Sequence, residues 1–222
     1  CGYGNDDLLR AAIAATYGMI EMIDDRVGQI LAALERTGAR ENTIVVFTSD
    51  HGDMMGDHSL FLKGFMHYRG TLQVPLVIAA PGVAAGRSSA LASSIDLAPT
   101  LLGLCDVQGY DGIQGRDLAP LLADPTASVR DYVLIEDDLA EITAKLTPFP
   151  ARTRTLITPE YRYTRNSKSE EQLFNLLDDP DEMRDLKKEN APARIAALEL
   201  LTSALMAADD SARGAPAAED HQ

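Results

Sequence analysis

Apolar residues recur every three or four positions between 6 and 34: Leu9, Ile13, Tyr17, Ile20, Val27, Ile30, Leu31 and Leu34. That period predicts one long amphipathic helix, capped by Asp6 or Asp7 and ended at Gly38. Asp24 falls on the apolar stripe, where a hydrogen-bonded structural carboxylate is expected; Asp25 points outward. The period then changes. "NTIVVFTSD" places a short, largely β-branched run at 44–48, and "VPLVIAAPG" repeats the pattern before Pro81 and Gly82. Continuous apolar runs bounded by polar residues predict strands buried on both faces of a parallel sheet. "SSIDLAPTLLGLCDV" returns to helical spacing, starting at Asp96 with Pro99 in the first turn. From 103 to 124 the glycines and "LAPLLADP" predict a loop with one short helical turn.

After Pro125 the pattern predicts an antiparallel layer, with strands at "DYVLIED", "RTLITPEYRYTR" and "EQLFNLLDD". Tyr161 and Tyr163 share one face of it and, with Phe174, are expected in its core, while Glu136, Asp137 and Asp138 form a solvated strand end. "NAPARIAALELLTSALMAADD" predicts a closing helix, capped by Asn190 with Pro192 in its first turn. From Ser211 the composition turns to Ala, Gly, Pro and acid, a disordered tail. Helix, strand and helix in alternation, followed by a block of strands, predict an α/β fold with a second small layer. The expected divisions are an α/β part at 1–127, a small antiparallel sheet with its helix at 128–208, and a tail at 209–222.

The 222 residues are 45% apolar and 24% charged, the composition of a globular chain with a sizeable core. No window approaches eighteen consecutive apolar residues, and the amino terminus lacks a secretory-signal pattern, so no membrane partner is expected. A formal charge of −14 without a basic patch argues against nucleic acid and anionic lipid. The same field repels a small anionic substrate, so a site for one needs a metal or buried cations. Two cysteines, Cys1 and Cys105, argue against a disulfide framework. Cys1 opens "CGYGN", which reads as the middle of a loop, so we expect a piece of a longer protein. An incomplete sheet would expose apolar faces, and the isolated polypeptide is expected to be poorly soluble.

"FTSDHGDMMGDHSLFLKG" concentrates the chemistry. Ligands collect at the carboxyl ends of strands in α/β sheets, and Asp50 and His51 sit where the 44–48 strand ends. Gly52 permits a sharp turn, and a carboxylate beside an imidazole offers two donors to a divalent cation. Two ligands do not close a metal site, so further ones would come from elsewhere. Lys63, twelve residues beyond His51, is either a solvated surface lysine or a donor to an anionic oxygen, and "SDHG" by itself also fits a capped turn. His58 fits a substrate pocket or a turn-stabilising hydrogen bond; His67 fits packing or surface.

"NTIVVFTSDHGDMMGDHSLFLKG" followed by "VPLVIAAPG" resembles the carboxyl-terminal half of the sulfatase family, in the alkaline-phosphatase superfamily. "YGMIEMIDDRVGQIL", "SSIDLAPTLLGL" and "YRYTRNSKSEEQLFNLLDDPDE" resemble further segments of that family in order, over about residues 17–186. The resemblance implies a partial alkaline-phosphatase-like sandwich with a parallel or mixed sheet and a small carboxyl-terminal antiparallel subdomain. It implies that Asp50 and His51 help hold a divalent cation, calcium in typical sulfatases, and that Lys63 contacts the sulfate of a small-molecule or saccharide ester. The family's nucleophile is formylglycine, made from Cys-x-Pro-Ser-Arg; that motif does not occur in these residues, and it and the paired aspartates completing the metal site are expected upstream. The chain alone is therefore expected to be inactive. Gln73 stands where many members have Arg before Val-Pro, a departure from the family's pattern at an expected salt bridge or anion contact, with Arg69 four residues earlier. The same residues resemble phosphonate monoester and phosphodiester hydrolases of the superfamily, which would imply manganese or zinc. A non-catalytic relative acting as a binding module is the remaining alternative.

Overall fold

The computed structural model describes residues 6–64, 66–139 and 149–213. The chain forms two compact units, Cys1–Val83 and Ala84–Gln222.

In the first unit, α1 (Asp6–Thr37) runs the predicted length and ends where Gly38, at φ 69°, turns the chain back onto Glu35 O and Leu34 O. Of its predicted stripe Leu9, Ile13, Val27, Leu31 and Leu34 are half-buried, whereas Ile20 and Ile30 are exposed. None of its residues is fully buried, however, and Tyr17 is 68% exposed. Asp24 is exposed, so the structural role expected of it is not observed. Periodicity reports that a helix has an apolar side; whether another element covers that side is a separate fact.

Strands β1 (Val45–Thr48) and β2 (Leu76–Ala79) occupy the two apolar runs but pair antiparallel, Val45 opposite Ala79 and Thr48 opposite Leu76. The parallel pairing expected of them is thus corrected, as is burial on both faces, since Val77 is 58% exposed. The reason lies in the connection. Between the strands the chain makes a 3₁₀ turn at Asp57–Ser59 and the four-residue helix α2 (Arg69–Leu72), too little helix for the crossover a parallel return requires. Among the described residues neither sheet has a parallel pair.

The second unit begins with a 3₁₀ turn, Ser94–Asp96, closed by a capping box between Ser93 and Asp96, and continues into α3 (Leu97–Leu104) and α4 (Ala119–Ala123). Strands β3 (Val133–Asp138), β4 (Arg152–Ile157), β5 (Tyr161–Asn166) and β6 (Glu171–Asn175) form the predicted antiparallel meander in sequence order. Helix α5 (Ala191–Arg213) covers one face: Leu156, Tyr163 and Leu173 meet Leu201 and Ala204 in a buried core. Each of these large side chains contributes about 1.5–3 kcal/mol by leaving water. On the other face Arg162 lies 4.6 Å from the Phe174 ring and is ion-paired with Glu182, both ends of the pair buried. The Asn190 cap is observed, its side chain accepting from Ala193 N at 3.2 Å. Ala191–Asp209 is long and apolar enough to cross a bilayer by composition, yet its inward residues are the ones packed on this sheet.

The second compact unit begins at Ala84, ahead of α3. Asp96 is the tie: this fully buried carboxylate accepts from Ser93 N at 2.7 Å, from Arg116 N at 2.7 Å and from the Arg130 guanidinium, joining the α3–α4 segment to the approach to β3. The tail expected from position 209 is helical through Arg213; residues 214–222 lie outside the described residues.

Candidate metal and anion site at the end of β1

β1 ends at Thr48 and the chain folds back on itself at once. The Ser49 hydroxyl donates to His51 O at 3.0 Å, and His51 N donates to Asp50 Oδ1 at 2.9 Å. That backbone donor is the main reason the Asp50 carboxyl sits below the usual carboxylate range, so its other oxygen is presented ionised. Gly52 N donates to Thr71 O at 2.9 Å, and a β-carbon at Gly52 would lie 2.0 Å from Gly70 O. Only glycine permits this close approach of the turn to α2.

His51 Nδ1 lies 3.0 Å from Gly52 O, and Nε2 lies 2.6 Å from Lys63 Nζ. An ammonium can only donate, so Nε2 accepts and Nδ1 carries the proton given to the carbonyl. The imidazole is held in the tautomer that turns a lone pair toward Lys63, the arrangement by which a histidine is prepared for a metal. Asp50 Oδ2 lies 3.4 Å from the same nitrogen. In this structure the Nε2 lone pair accepts from the Lys63 ammonium; with that ammonium turned to another acceptor, the carboxylate oxygen and the imidazole nitrogen would offer two donors of the kind a divalent cation takes.

Asp53 is the site residue that sequence reasoning missed. Its Oδ1 accepts from Lys63 N at 2.7 Å across ten positions, anchoring the backbone from which the ammonium reaches His51. The two are far apart in sequence and no local pattern marks them. Between them the loop is tightly wound: Met55, His58 and Ser59 have positive φ, and Met54 is 1% exposed beneath them, accepting from the Thr71 hydroxyl. His58 is stacked on Tyr68, with ring centres 3.9 Å apart, and His67 is buried. Arg69 Nε donates to Gln73 Oε1 at 2.6 Å. The structure therefore brings together Asp50, His51 and Lys63 of the predicted residues. Among the described residues no group of three or more His, Cys, Asp or Glu could hold a metal ion.

Residues 3–107 match the family described as Sulfatase, and residues 56–208 match N-sulphoglucosamine sulphohydrolase, C-terminal. The chain belongs to the sulfatase family. It is 35% identical over 191 residues to the arylsulfatase of Clostridium perfringens, covering 83% of this chain and 38% of that protein. A structure solved in complex with its substrate D-glucosamine-2-N,6-O-disulfate superposes with TM-score 0.76 and 28% identity over 86% of this chain and 40% of that one. The phosphonate monoester hydrolase of Agrobacterium radiobacter superposes with TM-score 0.78 and 29% identity, covering 90% and 42%. The chain thus spans less than half the length of these relatives. Sulfatases are hydrolases that generally use a divalent metal, and the α/β fold with its small antiparallel subdomain is that of the family's solved structures.

Proposed function

We propose that the protein containing this chain hydrolyses sulfate esters, small or saccharide, and that these residues supply part of its metal site and one contact to the sulfate. The observation that carries the reading is the convergence of Asp50 Oδ2 and Lys63 Nζ on His51 Nε2, at 3.4 and 2.6 Å. Asp50 and His51 hold the cation, calcium by the carboxylate-rich chemistry of the family. The cation supplies charge neutralisation for the sulfate oxygens when bound. Lys63 donates a hydrogen bond to a non-bridging sulfate oxygen, Asp53 fixes where its side chain starts from, and Gly52 O holds the His51 tautomer. In the overall reaction water replaces the ester oxygen on sulfur, giving an alcohol, sulfate and a proton. The nucleophile, formylglycine in the family, is not among these residues.

The imidazole ligand and the likeness to a phosphonate monoester hydrolase favour one second reading, hydrolysis of phosphonate monoesters or phosphodiesters with manganese or zinc. Paired assays on 4-nitrophenyl sulfate and bis(4-nitrophenyl) phosphate, with the protein that carries these residues together with a nucleophile, separate the two. A higher kcat/KM on the sulfate ester supports the first reading; a higher value on the phosphodiester replaces it with the second.

A further inference from the structure

At the end of β1 one lone pair has two claimants. His51 Nδ1 lies 3.0 Å from Gly52 O, and Gly52 is itself held, its N–H donating to Thr71 O at 2.9 Å. That leaves Nε2 as the ring's one acceptor, and Lys63 Nζ lies 2.6 Å from it. Asp50 Oδ2 stands 3.4 Å from the same nitrogen. Zinc and calcium take their donors at about 2.0–2.6 Å, so two donors at that separation lie within the span of one ion. An ion held by both would need the lone pair that the ammonium uses.

The three groups differ in how freely they move. The imidazole is clamped through Gly52, and the space a β-carbon would take there is filled by Gly70 O, so the turn cannot slide. Lys63 is anchored at its backbone, where N donates to Asp53 Oδ1 at 2.7 Å. Beyond that anchor its side chain is an exposed, flexible four-carbon stem ending in a compact charge. The Asp50 carboxylate is 83% exposed and the His51 side chain 33%, so an ion from solvent reaches both. When one arrives, the lysine stem is the part that yields.

We propose that Lys63 and the cation are alternative occupants of the His51 Nε2 lone pair, so that cation binding releases the ammonium to the substrate anion. The inference rests on the metal and sulfate roles given under Proposed function and adds an order to them: cation first, anion second. An anionic oxygen drawn to the cation offers the released ammonium a charge-assisted bond, stronger than the one to a neutral imidazole. Asp53 keeps the root of the stem in place through the exchange. Two consequences follow from mass action. Lys63 lowers the apparent affinity for the cation by the fraction of molecules in which Nε2 is free. Cation and sulfate also strengthen one another through Lys63, beyond their direct attraction, because linkage is reciprocal.

The test uses the protein containing this chain, labelled with ¹⁵N-histidine and freed of metal by a chelator, with His51→Gln assigning the His51 signals. Lys63→Met removes the ammonium and keeps an unbranched stem, and it should move the Nε2 resonance toward that of a lone pair without a donor. Calcium or zinc should move the same resonance in both proteins. Calorimetry should show Lys63→Met binding the cation about three- to tenfold more tightly. Plain repulsion between ammonium and cation is screened at about 0.5 M salt, so a gain that comes from freeing the lone pair should persist there. Inorganic sulfate should tighten cation binding more in the parent than in Lys63→Met. An Nε2 resonance that Lys63→Met leaves in place, a gain in affinity that is absent or vanishes in salt, or equal coupling to sulfate in the two proteins would overturn the exchange while leaving Asp50 and His51 as ligands. A cation that moves Nε2 in neither protein would instead remove His51 from the metal site, and the exchange with it.

Discussion

Asp96→Asn tests whether a single buried carboxylate ties the second unit together. The carboxylate has no exposed surface and three donors: Ser93 N at 2.7 Å on Oδ2, and Arg116 N at 2.7 Å with the Arg130 guanidinium on Oδ1. An asparagine can keep its oxygen toward Arg116 and Arg130, but its amide then faces Ser93 N, donor against donor. The lost bond costs about 1.5–3 kcal/mol. Arg130, whose side chain is 11% exposed, also loses its counter-charge, and breaking one partner of a buried pair typically costs about 3–5 kcal/mol. Because these terms overlap, we expect a loss of about 3–5 kcal/mol, a large share of an ordinary domain's about 5–15 kcal/mol. Urea unfolding followed by far-ultraviolet circular dichroism reads it directly. Arg130→Met closes a double-mutant cycle, with a coupling of about 1–3 kcal/mol expected. Losses under about 1 kcal/mol in both single variants would refute the reasoning, because that is the range of ordinary surface substitutions.

Gly52→Ala places a β-carbon 2.0 Å from Gly70 O, so the turn must move; we expect a loss of about 2 kcal/mol or more and weakened cation binding, read by urea unfolding and metal titration. Glu182→Ala leaves Arg162 buried without its carboxylate and should cost about 3–5 kcal/mol, whereas replacing both partners by apolar residues should recover most of that in the same unfolding assay. Burial pushes the Tyr163 phenol up to about 12 from an ordinary 10.0. Its neutral form is favoured by folding, so its contribution is complete below about pH 10 and is lost as pH rises toward about 12; tyrosinate absorbance and stability against pH should show both changes in that window.

The turn that carries the candidate site could be read in the sequence because it depends on local facts: an apolar run that ends, a glycine, and an acid–imidazole pair at the end of a strand. Lys63 could be named only through resemblance, since a spacing of twelve residues does not show where an ammonium points. Asp53 escaped because its partner is the backbone of Lys63, and a backbone amide leaves no sequence mark. Strand direction escaped too: "TIVVF" and "PLVIA" carry hydrophobicity but not orientation, which the short α2 connection decides. The Arg162–Glu182 pair depends on tertiary folding, which juxtaposes residues that lie far apart in the chain. The small sheet was legible because its alternation agrees with its burial, Leu156, Tyr163 and Leu173 inward.

The most direct test is the metal content of the protein containing this chain, measured by elemental analysis after dialysis, for the parent and for Asp50→Asn with His51→Ala. The account predicts one tightly held divalent cation per chain in the parent and its loss from the doubly substituted protein, with Lys63→Ala retaining the cation. Equal metal content in the parent and the Asp50/His51 variant would contradict it.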